Sequence, residues 1–439
     1  MLGTIIIREI QEYIKSKKFL IGLFITLVLV TVTTVINIED YAKRHQDYLD
    51  AKREMGKRNV FRPPQVLSIL ALGKDQKLGN RAEISSMRID IKTTGYMGRF
   101  ESMHQKYLSG FSGIDFAFVV RVVLSMLVIF LAYNAISEEK VRGTLKMILS
   151  NSLPRGNLIL TKCIAGLIII IFPLITASLV SLVIMVLHPA VYLGNAEWIR
   201  IMGMIGVSTL YLTMFYTLSL FISVMVNRPS TALMILLQLW IFLVIIYPNV
   251  GVFIADKTYT VTSRGELKRR ASRPYYDESN RLLREYIKEN PGKNPGSDPD
   301  NELLIKRTEA QNKAMEAEYQ VEREHSNDLR HQAELAYTIA MFSPAVLYER
   351  VMLRYARTGL DDYERFLDGV FLNWKTYRRH TADRQRARET MKNMPEFTYP
   401  SETSFESLYA SMHDTLILFL FTVIFFLLAY TAFLRKDVR

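Results

Sequence analysis

The chain has one cysteine, Cys163, in 439 residues. No disulfide can form within it, so any segment outside a membrane must fold without that staple. Cys163 stands beside Lys162 at the start of an apolar run, where a small packing residue is the plain reading. The seven histidines are scattered, and nowhere do His and Cys gather at metal-ligand spacing. A G-x-x-x-x-G-K-[ST] stretch is missing too: Gly73-Lys74 and Gly292-Lys293 lack its other parts, so the chain is not expected to hold ATP as a P-loop protein. No serine sits in a G-x-S-x-G setting. Asp361, Asp362 and Glu364 follow a glycine turn, a common place for helix-capping acids rather than for catalytic carboxylates. His325, His331 and His380 lie in highly charged helical sequence, where a solvated face is the default reading. With no nucleophile, base or metal to name, the chain is not expected to be an enzyme. Its formal charge of +12 is spread among interleaved acids and bases with no compact basic motif, which argues against nucleic acid as a partner.

What the chain does have is segregation. Near-continuous apolar runs alternate with heavily charged stretches, the pattern of an all-α membrane protein with soluble loops. Six runs are long enough to cross the hydrocarbon: 19–38, 116–136, 163–187, 201–226, 231–255 and 415–434. Residues 1–18, with Ile6, Ile10, Tyr13 and Ile14 on one face, read as an interfacial helix on the cytoplasmic side. Arg8, Lys15, Lys17 and Lys18 ahead of the first run, and the basic tail 435–439, place both termini in the cytoplasm.

That orientation puts 39–115 and 256–414 outside, the second large enough for a mainly helical extracytoplasmic domain. Within it 290–299 is a breaker cluster, and 301–340, free of Gly and Pro, predicts a long solvated helix or hairpin. Ser343-Pro344 opens a further helix that Gly359 can end, and Phe366, Phe371 and Trp374 can anchor the next. Inside the spans, Arg121 has two readings: snorkelling to the interface, or standing on a substrate path. Thr209, Thr213, Tyr216, Leu220 and Ser223 form a largely hydroxyl-bearing stripe that can glue helices or line a path, and Gln238 stands inside the fifth run. Pro173 predicts a kink or hinge in the third. Ionisable groups are otherwise scarce in the runs, against a proton- or ion-coupled carrier.

The stretch 137–162, bounded by membrane on both sides, reads S-E-E-K-V-R-G-T-L-K-M-I-L-S-N-S-L-P-R-G-N-L-I-L-T-K. Val141, Leu145, Ile148 and Leu149 give a short helix one apolar stripe. Ser137 can cap it, Glu138 and Glu139 suit its positive end, and Pro154 can stop it. The E-E-K-x-x-G-T-L-x-x-x-L-S-x-S-x-P-R-x-x-x-I-L-x-x-K pattern from Glu138 to Lys162 resembles the cytoplasmic loop of ABC-2 type permeases, the membrane subunits of ATP-binding-cassette transporters. The large outside segments resemble a subgroup with extended extracytoplasmic loops. Compact members have a smaller last loop, often with short re-entrant helices before the final span.

The resemblance implies a second permease copy or paralogue in a bacterial cytoplasmic membrane. It also implies a separate cytoplasmic ATPase that holds the ATP and Mg, with no cofactor in this chain. Glu138, Glu139, Gly143, Thr144, Leu145 and Ile148 are then the expected docking residues, with Pro154 and Arg155 shaping the exit. Two functions fit: export of a lipid-like, peptide-like or drug-like substrate, or a mechanical device that works on an extracytoplasmic protein partner without moving cargo.

Overall fold

A computed structural model describes residues 2–54, 59–73, 81–84, 89–92, 114–145, 154–259, 261–291, 302–381, 397, 399 and 403–435. Six helices among them are long and apolar enough to cross a membrane: Lys17–Arg53, Phe116–Arg142, Arg155–Leu187, Asn195–Met225, Pro229–Thr258 and Phe405–Arg435, here spans 1 to 6. The chain is an all-α membrane protein. Lys18 in span 1 donates to the Tyr133 hydroxyl in span 2 (2.7 Å), and Arg155 at the start of span 3 to the Leu434 carbonyl at the end of span 6 (3.4 Å). These contacts define one end of the bundle, the near end.

Span 4 is the hub. It packs on spans 2, 3, 5 and 6, and it lies, with span 2, deepest in the bundle; spans 5 and 6 are the least enclosed. The hydroxyl stripe makes this possible. Thr209 and Thr213 return their hydroxyls to the carbonyls of Ile205 (2.9 Å) and Thr209 (2.7 Å), which hides polarity inside the helix. Tyr216 reaches span 3, donating to the Lys162 carbonyl (2.7 Å). Span 3 passes Pro173 as one helix, Arg155–Leu187.

Span 1 does not stop at Ile38. Its helix runs on to Glu54, 38 residues and about 57 Å, because nothing from Ile38 onward is a Gly or Pro that would break it. The extension braces the segment after it: Asn37 donates to the Ile69 carbonyl (3.2 Å), and Arg44 pairs with Asp40 (2.8 Å) while donating to Ser68 (3.1 Å). The same segment holds a small antiparallel sheet in the order β1 (Asn59–Phe61), β2 (Arg81–Ile84), β3 (Ile89–Lys92), an exception to the helical reading. Val60 faces Ala82, and Ala82 faces Ile91.

At the far end the long helix expected after residue 301 is present as Glu302–Ala340, and Arg264–Glu289 packs along it as a hairpin. Leu282, Tyr286, Ala310, Ala314 and Leu329 are buried there, widely spaced as a sparse seam requires. The next helix, Pro344–Ala356, begins at Ser343, whose hydroxyl accepts from the Val346 amide (3.3 Å). It ends on Arg357 in the left-handed region (φ 59°), not at Gly359. The arginine can hold that conformation because its guanidinium pairs with buried Asp362 (3.2 Å) and its carbonyl accepts from buried Arg62 (3.1 Å).

Nor does Pro344–Ala356 belong to a separate outer domain. Leu347, Tyr348, Val351, Met352 and Tyr355 are part of the same apolar core as the spans. Tyr348 stacks on Tyr211 (4.6 Å between centroids) and shares a hydrogen bond with Ser208 (3.0 Å). A second core gathers Tyr363, Phe366, Phe371 and Trp374 of the helix Leu360–Thr381 around Val60 and Leu329.

Candidate functional site

At the near end span 2 breaks after Ala132 through a four-residue turn and restarts as the short elbow helix Ser137–Arg142. Its cap comes from another span. Ser137 is the first helical residue and cannot cap itself; Ser223 of span 4 accepts from both the Ile136 and the Ser137 amides (3.0 Å each). Glu138 and Glu139 occupy the first turn, where the helix end is positive. Glu138 holds Asn134 on one side and Arg142 on the other.

Lys140 turns back along span 4. Its ammonium donates to the carbonyls of Ser223 (3.2 Å), Val224 and Val226 (2.8 Å), the open C-terminal carbonyls of that helix. The elbow helix Ser137–Arg142 ends at Gly143; helical residues resume at Thr144 and Leu145, and 146–153 lie outside the described residues. Gly143 takes the left-handed conformation (φ 71°) and its amide closes on the Lys140 carbonyl (3.3 Å). Pro154 immediately precedes the first turn of span 3, which Arg155 begins.

The reversal at Gly143 divides the expected apolar stripe. Val141 is 64% exposed while Leu145 is 3% exposed. Glu139 points inward, to Lys162 of span 3 (2.7 Å), which also holds Glu9 of the lead helix Leu2–Ile14 (2.9 Å). Thr144 donates weakly back to the Glu139 carbonyl (3.4 Å). Ile148 lies outside the described residues. The outward surface of the elbow is thus Val141, Arg142 and Gly143, with Glu138 and Thr144 half-buried at its edge.

The result is a short helix fastened to the lead helix and to spans 3 and 4, with one small face left open beside a membrane span. The family model described as "ABC-2 family transporter protein" matches residues 3–438. The chain belongs to the ABC-2 transporter family. It is also 32% identical over 126 residues to a probable ABC transporter permease protein, NosY, of Stutzerimonas stutzeri. That match covers 28% of this chain and 45% of the relative, so less than half of the relative's length is spanned.

The permease carries its other candidate residues elsewhere. The Arg121 guanidinium turns inward and pairs with Glu349 of the inserted helix Pro344–Ala356. The backbone there is a π-helical stretch, Val119–Leu124, and its irregular carbonyl at Arg121 accepts from the Tyr211 hydroxyl (3.0 Å) and from Ser125. Ser125 in turn accepts from the Trp240 indole of span 5 (2.9 Å). The cleft beside Arg121, lined by Asp115, Phe118, Tyr348 and Glu349, has room for about one water molecule. Gln238 faces away from the bundle.

Of the hydroxyl stripe, Ser223 caps the elbow directly and Tyr216 reaches it only through Lys162. The sequence does not single out Glu9, and it marks Ser223 only as one of the stripe, not as the elbow's cap. Their signal was faint: one acid in a basic lead helix, and one serine in a stripe of hydroxyls. Among the described residues no group of three or more His, Cys, Asp or Glu is placed to hold a metal.

Proposed function

We propose that this permease is the membrane subunit of an exporter for a lipid-like, peptide-like or drug-like substrate, driven by a separate ATPase that docks on the elbow. The observation that carries the reading is the fastening of the elbow: a displaced Ser137–Arg142 must pull on span 4 through Ser223 and Lys140, and on span 3 through Lys162. The cluster of Lys15, Lys17, Lys18, Arg142, Arg155, Arg228 and Arg435 at the near end supports a cytoplasmic placement, within reach of an ATPase. The docking face is Glu138, Val141, Arg142, Gly143 and Thr144, with Ile148 further along the same stretch of sequence.

A substrate path fits best between two permease chains. Within one chain the facing sides of spans 2 and 4 are filled by a continuous apolar core. The outward face of span 5, with Thr231, Met234, Gln238, Ile241 and Phe242, offers a wall that is apolar but carries one amide.

Gentle detergent extraction should co-purify an ATPase, and Val141→Asp or Arg142→Glu should abolish the association while leaving the permease folded. Normal association of both variants would overturn the docking face. Glu139→Arg is a poorer test, since it also destroys a buried ion pair.

A second reading, mechanical work on an outer partner, is favoured by one feature. Span 5 passes directly into the hairpin: Tyr247 donates to the Ile339 carbonyl (2.8 Å), Tyr259 to Asp328 (2.8 Å), and Gln332 to the Tyr259 carbonyl (2.7 Å). That stiff joint would carry a tilt of span 5 outward. Transport by an inverted-vesicle preparation whose hairpin has been clipped at 290–300 would decide for export.

A further inference from the structure

Lys162 has an unusual position for a lysine. It lies in the second turn of span 3 with 4% of its side chain exposed, and two carboxylates share its ammonium: Glu9 at 2.9 Å and Glu139 at 2.7 Å. Its own carbonyl is held by the Tyr216 hydroxyl. Four elements that are separate in sequence therefore meet at one residue: the lead helix, the elbow helix and spans 3 and 4.

We propose that Lys162 is the positioning residue that makes the lead helix and the elbow helix move with span 3 as one unit. The inference rests on the elbow being the driven element. The amphipathic helix Leu2–Ile14 leaves Ile7 and Ile14 exposed and packs Ile10 and Tyr13 on the core, an apolar contact whose register the ion pair to Lys162 fixes. A buried ammonium cannot give up its partners without a cost of several kcal/mol, so the elbow cannot shift while span 3 and the lead helix stay behind.

The charge count gives the clamp an asymmetry. One ammonium against two acids leaves a net negative charge, and Glu139 Oε2 is buried without a hydrogen-bond partner. Neutralising one acid leaves a balanced pair. Removing the lysine leaves two buried carboxylates facing one another, and such a variant can simply fail to fold. The decisive variant is therefore the uncharged triple, Lys162→Met with Glu9→Gln and Glu139→Gln, which removes the clamp without leaving a buried charge.

The test begins on the isolated permease in nanodiscs, in a Cys163→Ala background that leaves no other thiol. Spin labels at exposed Glu12→Cys and Arg142→Cys report the distance between the lead helix and the elbow. The wild-type triad and Lys162→Arg should give one narrow distance distribution; the uncharged triple should give a broad or shifted one. In the complex with the ATPase, the triple should still bind the ATPase but lose about tenfold in permease-dependent ATP hydrolysis, the size of an ordinary coupling free energy, and Lys162→Arg should retain it. An unchanged distance in the triple, or unchanged hydrolysis, overturns the proposal. Failure of the unmodified permease to bind any ATPase would instead overturn the docking reading, and the label distances still decide whether the clamp exists.

Discussion

Gly166 and Tyr216 show what a single side chain controls in this bundle. A Cβ built on Gly166 would lie 2.0 Å from Tyr216 Cζ and 2.1 Å from its hydroxyl oxygen. The tyrosine is fully enclosed and bonded to the Lys162 carbonyl, so it has no free direction in which to yield. Gly166→Ala should therefore destabilise the permease by at least the 1–3 kcal/mol of an overpacked core, seen as a lower melting temperature in detergent. Adding Tyr216→Ser should recover much of the loss, because it removes the obstructing ring; no recovery would mean that Gly166 serves another purpose. The sequence marked Tyr216 as one member of a hydroxyl stripe. It could not show that the ring meets a glycine on another span, since nothing local to Gly166 differs from an ordinary small residue in a membrane helix.

At the scale of elements, the apolar runs were readable because a membrane demands about 20 apolar residues and no soluble loop supplies them. Helix ends were less readable, and for one reason: their caps are tertiary. Ser223 caps the elbow from span 4, and Arg357 holds a left-handed turn only because Asp362 and Arg62 secure it. Gly143 gives the sharpest check. A Cβ there meets nothing within 4 Å, so Gly143→Ala should cost only the 1–2 kcal/mol of a left-handed alanine. Loss of ATPase association is expected with nearly unchanged melting of the whole permease, and Gly143→Asn should restore part of it.

The helix Leu360–Thr381 offers a pH test of the far-end assembly. Burial pushes the Glu364 carboxyl up to about 7, against the pull of Arg330 (3.3 Å) and helped by neighbouring Asp361, Asp368 and Glu334. A carboxyl raised in the folded state favours folding while it is protonated. Its stabilising effect is complete below the ordinary glutamate range and is lost as pH rises through about 7. Melting of this assembly should fall between pH 5 and pH 8, and Glu364→Gln should flatten that slope. A slope that survives the substitution would place the titration elsewhere.

For the whole molecule, the main surprise is that the large segment before span 6 is not one independent domain. Pro344–Ala356 is sewn into the bundle by Tyr348 and Glu349, while the hairpin packs on the far end of span 5. The sequence shows the helix but not its destination, because an amphipathic face is the same whether it meets a soluble core or a membrane bundle. Gln238 poses a related question, since an exposed amide in mid-span is costly against lipid and acceptable against water or a second chain. In the Cys163→Ala background, Gln238→Cys should react with a small water-borne maleimide, because the thiolate forms only where water reaches it. Leu179→Cys, exposed on span 3, should stay unreactive as a lipid-facing control. Nucleotide that closes the ATPase should change the rate at 238 and leave 179 alone. If 238 is as silent as 179 in every state, span 5 faces lipid there, and the path between two chains must run along another face.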